Sequence, residues 1–426
     1  MSLLDLAAIL LTLSAVFGWI NGKFLPFPHT VGLLVMSVAA AGALVAAEFV
    51  YPEGHLFEDL TGILRSIDFN AVVMNGMLAF LLFAAALQVD LHELRRRGLQ
   101  VALLALVGTA ISTAVVGAAL WAAAGLVGAP LPLVWALVFG ALISPTDPVA
   151  VMSTLRHVAV PPELEIELKG ESLFNDGTGI VLFTLLLRVA TDGAGAGAGA
   201  EEGGIAASFA ELLLREAVVG LALGLTTGYL AYWAVRLIDD YAIEVLITLA
   251  LVTATYAMAQ RIGASGPLAV VAAGLLIGDR GPRDAMTERS KRYVFGLWTL
   301  IDVILNSVLF LLIGLEVLIL RVRDVSLLLT LLAIPAVLLG RLVAVGTPLL
   351  MFPWSRAMSV RNVPFLTWAA IRGGVSVALA LSLPASDAKA TILSATYAVV
   401  LFSIVVQGLT LAAVARRTVA VREGSA

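Results

Sequence analysis

Asp147, Glu171, Asp176, Asp302, Arg341 and Arg372 stand inside long apolar runs of this 426-residue sequence. At membrane depth such a group costs roughly 2.5–3.5 kcal/mol on insertion scales, so each needs a partner or a purpose. Ser172 and Asp176 lie four residues apart and share one helix face, while Glu171 and Asn175 share the next. Upstream, Gly140-Ala-Leu-Ile-Ser-Pro-Thr-Asp-Pro-Val149 carries two prolines three residues apart. They remove two backbone donors and push Ile143-Ser144 and Thr146-Asp147 out of helical geometry. Asp176 and Ser172 then present oxygens toward a broken helix, and carboxylate, hydroxyl and carbonyl oxygens are what hard cations such as sodium take. Asp147 and Asp176 are read as functional. Glu171, Arg341 and Arg372 read more plainly as a buried ion pair or triad that holds helices in register. Asp302 and Asn306, four apart on one face, are either auxiliary ion ligands or a structural pair. Glu48, Asp90 and Glu93 fall near helix ends, where the interface accounts for them.

The elements that position these residues must span a membrane. The sequence is 60% hydrophobic and only 13% charged, against roughly 25% charged in soluble domains. That excludes a soluble enzyme, a disordered tail and a nucleic-acid binder, and leaves an all-α polytopic membrane protein set in a lipid bilayer. A net charge of -4 gives no sign of a polyanionic partner. With no cysteine, disulfides, thiolate chemistry and cysteine-based zinc sites are absent, and His29, His55, His92 and His157 form no spaced ligand pair. Gly22-Lys23 runs on to Phe24, so no P-loop holds ATP. No cofactor is expected, and uphill movement would draw on another gradient.

A crossing helix needs roughly 20 mostly apolar residues, which gives about thirteen stretches. They fall near 3–20, 30–50, 69–90, 99–126, 131–155, 164–190, 206–236, 242–260, 265–279, 293–319, 325–351, 362–384 and 390–415. The ninth is short and opens on Ser265-Gly266-Pro267, which suits a tilted or partly re-entrant piece. The first lacks a positive leader region and a cleavage site, so it reads as a retained span. With the N-terminus outside, seventeen of the 26 basic residues fall on the cytoplasmic side and seven outside, the remaining two being Arg341 and Arg372. The bias follows the positive-inside rule and puts the C-terminus in the cytoplasm of a cell-membrane protein. Residues 192–204 are a glycine–alanine run expected to be a flexible loop. The whole chain, 1–426, reads as a single membrane domain with no soluble one.

The fifth stretch is broken by its prolines, and the twelfth carries the glycine pair of Ala370-Ile-Arg-Gly-Gly-Val-Ser376. Irregular backbone at membrane depth survives only where protein or a water-filled cavity covers it. Two interrupted helices at matching places in two halves mark an inverted-repeat transporter. Helices 1–6 (near 3–190) would match helices 8–13 (near 242–415), with the helix over 206–236 as the joint and the two broken helices crossing in the core.

Ser144-Pro-Thr-Asp-Pro-Val-Ala150, Gly170-Glu-Ser-Leu-Phe-Asn-Asp-Gly177, Asn306-Ser-Val-Leu-Phe-Leu-Leu-Ile-Gly-Leu-Glu316 and Arg372-Gly-Gly-Val-Ser376 span nearly the whole chain. Together they resemble the monovalent cation/proton antiporters, the sodium/proton exchanger family, in its bacterial NhaP-like branch. The resemblance implies a thirteen-helix fold, a core domain sliding against a dimerisation domain, and a homodimer. It implies that Asp176 binds the ion beside Asn175, that Thr146 and Asp147 form the helix-5 pair, and that Ser172 is the helix-6 serine. Asp176, Ser172 and Thr146 would then be Na+ ligands. Glu171, Arg341 and Arg372 would be the buried charge cluster. Many members carry a helix-3 glutamate in a Phe-Glu-Gly-Gly-Leu run that helps hold the ion; here Phe83-Ala-Ala-Ala-Leu87 puts Ala84 at that place.

Protonated Asp176 is neutral, and so is Asp176 with one sodium ion, whereas the bare carboxylate is costly in a low-dielectric core. If only neutral loaded forms cross, the two cargoes swap one for one, and Asn175 in place of a second acid keeps turnover electroneutral. This would be sodium/proton antiport for pH and sodium homeostasis, with Li+ or K+ as other expected cargoes. A K+/H+ antiporter, or a non-exchanging sensor or channel on the same fold, are the competing readings. Gly220, Gly224 and Gly228 form a small-residue face that serves either packing inside the protomer or a dimer contact.

Overall fold

The computed structural model describes residues 3–50, 69, 71–96, 98–129, 131–155, 160–192, 202–316, 326–351 and 362–418. His55, His157, Arg65, Arg97, Arg156, Arg321, Arg323, Arg356, Arg361 and Arg422 lie outside the described residues. So does all of the expected glycine–alanine loop except its ends, Asp192 and Glu202–Gly204, which are helical.

The helices run α1 (Leu3–Phe24), α2 (His29–Val50), α3 (Leu78–Leu87), α4 (Leu91–Arg96), α5 (Gly98–Ala102), α6 (Thr109–Val127), α7 (Leu133–Ile143), α8 (Pro148–Leu155) and α9 (Pro162–Asp192). They continue as α10 (Glu202–Arg236), α11 (Tyr241–Arg261), α12 (Gly266–Arg280), α13 (Glu288–Glu316), α14 (Leu327–Met351), α15 (Val363–Trp368), α16 (Gly374–Leu381), α17 (Asp387–Phe402) and α18 (Gly408–Thr418). Wider π-turns cover Ala71–Met77, Leu103–Gly108, Gly281–Ala285 and Ser403–Gln407. No strand occurs among the described residues.

Among them, nine helices are long and apolar enough to cross a membrane, or ten with the bent pair α7–α8 taken as one span. The remaining expected stretches are short or interrupted: Val72–Leu87, the 15-residue α12, and the α15–α16 pair. The prolines of the fifth stretch leave residues 144–147 without helical structure, and α7 and α8 meet at 42°. In the twelfth stretch, residues 370–373 are likewise without helical structure between α15 and α16.

Local chemistry sets the ends. Asp240 caps α11 by accepting the amides of Ala242 and Ile243, and Ser265 caps α12 by accepting that of Leu268, with Pro267 in the first turn. Gly128 closes α6 in the left-handed region (φ 72°), where a side chain would be strained.

Two buried apolar clusters result. One gathers Phe139, Phe310, Phe365 and Ile371. The other is built on Phe83, Tyr256, Val270 and Trp298, whose indole lies 4.6 Å from Phe83 and donates to Thr248 Oγ1 at 3.0 Å. Ile180 and Val375 pack against both clusters, and the two helix breaks lie beside that seam. The Gly220–Gly224–Gly228 face is covered by the same chain: a Cβ on Gly220 would come 2.7 Å from Ser265 O, and one on Gly228 3.0 Å from Ala273 Cα. These glycines let α10 lie directly against α12, so the packing reading of that face is the one observed.

Candidate functional site

A break leaves up to four carbonyls at the end of one half-helix and four amides at the start of the next without partners, and in a membrane none may go unsatisfied. The two breaks meet each other first. Asp147 N donates to Ile371 O at 2.8 Å, a backbone bond between stretches 224 residues apart in sequence. Arg372, buried at 1% exposure, then turns its guanidinium onto the end of α7, where Nη1 donates to Ser144 O and, at 3.0 Å, to Pro145 O. The carbonyl end of α15 is closed by Arg341 Nε on Leu366 O at 3.3 Å and Gln407 Nε2 on Trp368 O at 3.1 Å. Ser403, at the start of a π-turn, accepts the Arg372 amide at 3.1 Å. Positive groups thus cover the carbonyl ends of both half-helices, as their dipoles require.

The amide ends receive the opposite charge. Asp147 Oδ1 accepts from Val149 N at 2.8 Å and Ala150 N at 3.3 Å, capping α8. Its other oxygen stands over the start of α16, where a Cβ on Gly373 would approach it to 2.6 Å. Only glycine permits that contact.

α9 is laid along the breaks. Asn175 Nδ2 donates to Thr146 Oγ1 at 2.8 Å, and Thr146 N donates to Asn175 Oδ1 at 3.4 Å. Thr146 Oγ1 and Ser172 Oγ are 2.8 Å apart. Asn175 therefore splints the broken helix. One turn on, a Cβ on Gly179 would strike the Pro145 ring, so α9 reaches the break only because residue 179 has none.

Between these elements lies a cavity of about 60 Å³, room for a few waters or an ion. Thr146, Asp147, Ser172, Asp176, Asp302, Asn306 and Ser376 supply its polar wall, and α3 adds Leu78, Leu81, Leu82 and Ala85. Asp176 is half-buried, and among the described residues nothing donates a hydrogen bond to its carboxylate. A larger cavity of about 480 Å³ shares Ala85, Pro148, Val149, Asp302 and Asn306 with the first and runs out past His29, Gln88 and Lys169. Asn306 Nδ2 donates to Asp302 Oδ1 at 2.9 Å, so the two form a pair on the wall between cavities.

The structure brings together Thr146, Asp147, Ser172 and Asp176 around one space, with Asn175 behind them and Asp302 and Asn306 at its outer wall. In the expected charge cluster the hydrogen bonds go to two targets. Glu171 and Arg341 form a bidentate pair, Nη2 to Oε2 at 2.8 Å, whereas Arg372 serves carbonyls instead of Glu171. Ala84 is buried in the second apolar cluster, and it is Ala85 that faces the cavity. Ser376, two residues after the Gly373-Gly374 pair, also lines the cavity, and its spacing in the sequence does not mark it. Ser403 and Gln407, which close the second break, carry no signal in their spacing.

A profile described as "Sodium/hydrogen exchanger, transmembrane" matches residues 11–417. The chain belongs to the sodium/hydrogen exchanger family. This is a family of transporters, and its member here is a multi-pass membrane protein. Among relatives, the chain is 41% identical to the Na(+)/H(+) antiporter NhaP of Pseudomonas aeruginosa over 97% of each chain. It is 35% identical to the Na(+)/H(+) antiporter NhaH of Halobacillus aidingensis, over 83% of this chain and 85% of that one. The fold is similar to the sodium proton antiporter MjNhaP1 of Methanocaldococcus jannaschii, with a TM-score of 0.74 over 98% of both chains at 19% identity.

Proposed function

We propose that this protein is a secondary antiporter that exchanges Na+ for H+ across the cell membrane, electroneutrally and one for one, by alternating access. One observation carries the reading: the Asp176 carboxylate faces a cavity at the crossing of two broken helices, with no hydrogen-bond donor to it among the described residues. A bare carboxylate there pays a desolvation cost that either a proton or one cation removes. Asp176 with Ser172 and Thr146 holds the cation, and Asn175 positions Thr146 while adding no charge. Asp147 contributes one oxygen, the other being committed to the α8 cap. Both loaded forms are neutral at Asp176, so each carries the site across and the empty form does not.

The larger cavity opens among Phe27, His29, Gln88 and Lys169, the side on which the sequence concentrates lysine and arginine. With the N-terminus outside, this is a cytoplasm-facing state. The site lies at the seam of the two apolar clusters, Leu78, Leu82 and Leu173 coming from one and Leu309 from the other, so sliding of one against the other would move it between sides. Inverted repeats over 3–190 and 242–415 and a homodimer belong to the same reading; the dimer contact lies on a face other than the glycines that α12 covers.

Reconstitution in proteoliposomes with an imposed proton gradient tests the function. Added Na+ should dissipate the gradient, with Li+ and K+ as parallel arms, and Asp176→Asn should abolish the response. Dissipation by K+ alone would make this a K+/H+ antiporter, and no response to any cation would defeat antiport.

A further inference from the structure

The hydroxyls on this protein's helices mostly bond back along their own chain. Thr154, Thr178, Thr184 and Thr396 each donate to the carbonyl four residues earlier at 2.7–3.0 Å. Ser376, in the first turn of α16, does not. The carbonyl four residues before it, Arg372 O, lies 3.4 Å from Ser403 Oγ instead. Ser376 is 1% exposed, and its Oγ has no hydrogen-bond partner among the described residues. A buried hydroxyl left that way is costly unless something outside the protein completes it.

Ser376 also lines the 60 Å³ cavity with Asp147, Asp176, Thr146 and Ser172. The other hydroxyls there are engaged: Thr146 Oγ1 accepts from Asn175 and bonds with Ser172. Asp147 Oδ1 is taken by two amides. α3 faces the cavity with carbon alone, from Leu78, Leu81, Leu82 and Ala85. The uncommitted oxygens of the wall include the Asp176 carboxylate from α9, the second carboxylate oxygens of Asp147 and Asp302, and, as the one hydroxyl among them, Ser376 Oγ from α16. A neutral hydroxyl suits a small hard cation and leaves the charge balance of the site unchanged.

We propose that Ser376 Oγ is a direct ligand of the transported monovalent cation, supplied by the second half of the chain, and that it sets cation affinity and size preference. The proposal rests on the antiporter reading. Removing a hydroxyl from a cation should raise the apparent KM for Na+ about tenfold in Ser376→Ala, the size of one hydrogen bond to a charged group. The maximal rate at saturating Na+ should stay near the wild-type value, and the ratio of Li+ to K+ responses should change. Ser376→Cys, which keeps the volume and loses the hard oxygen, should behave like Ser376→Ala. Ser382→Ala, whose hydroxyl bonds to Leu379 O outside the cavity at 2.7 Å, should leave KM unchanged.

Na+-dependent thermal stabilisation of the purified full-length protein gives a second readout without transport, and the half-saturating Na+ concentration should move by the same factor. An unchanged KM and half-saturation in Ser376→Ala would overturn the proposal. So would a fall in maximal rate with KM unmoved, which is what a purely structural serine predicts. A wild-type protein without cation-driven proton movement would defeat the antiporter reading itself, whereas a working exchanger with normal KM in Ser376→Ala defeats only this one.

Discussion

At the scale of single residues, the buried charges divide by what they neutralise. Among the described residues Asp176 is left without a donor, Asp147 caps a half-helix, Arg372 closes another, and Glu171 and Arg341 neutralise each other while Arg341 also holds Leu366 O. Removing one member of a buried pair strands the other, at a cost of about 3–5 kcal/mol, whereas replacing both by apolar groups is often close to neutral. Arg341→Met should therefore lower the melting temperature sharply, and Glu171→Met with Arg341→Met should recover much of it. The recovery should be partial, since Leu366 O stays uncapped. Thermal unfolding in detergent checks this, and a double variant no more stable than Arg341→Met would show that the pair is not the main partner.

At the scale of elements, the breaks are held by close approaches that only glycine allows. A Cβ at residue 373 would sit 2.6 Å from Asp147 Oδ2. Forcing an extra carbon into a packed core costs about 1–3 kcal/mol. Gly373→Ala should lose transport at least tenfold while the protein still reaches the membrane; normal exchange by it would mean that the crossing tolerates displacement. The first break was legible because two prolines three apart admit no continuous helix. The second was legible at Gly373-Gly374. The partners that close them were not: Ser403 and Gln407 reach the break through a π-turn that no residue pattern announces, and the charges of Arg341 and Arg372 are visible in the sequence but not their separate targets. Ala84 shows the same limit. A motif aligns residues along a helix, but which of two neighbours faces a cavity depends on how that helix is rotated, and here it is Ala85.

At the scale of the whole molecule, composition and the run of apolar stretches define a polytopic helical protein, while how the stretches pair is set by side-chain shape. The Gly220–Gly224–Gly228 face is compatible with either packing or dimerisation on paper, and the α10–α12 contact decides it. A Cβ on Gly228 would lie 3.5 Å from Ala273 Cβ, within the range a disulfide needs. In this cysteine-free protein, Gly228→Cys with Ala273→Cys should form a bridge inside one protomer and no crosslinked dimer on a non-reducing gel. A dimer-sized band would place that face between subunits.

The central claim is that Asp176 is neutralised by a proton or by one cation, but never by both. Adding Na+ to purified protein in weakly buffered solution, at a pH where the empty site is protonated, measures this directly. One proton should be released for each cation bound, and the release should vanish in Asp176→Asn. Binding of Na+ without proton release, or release that persists in Asp176→Asn, would contradict the account.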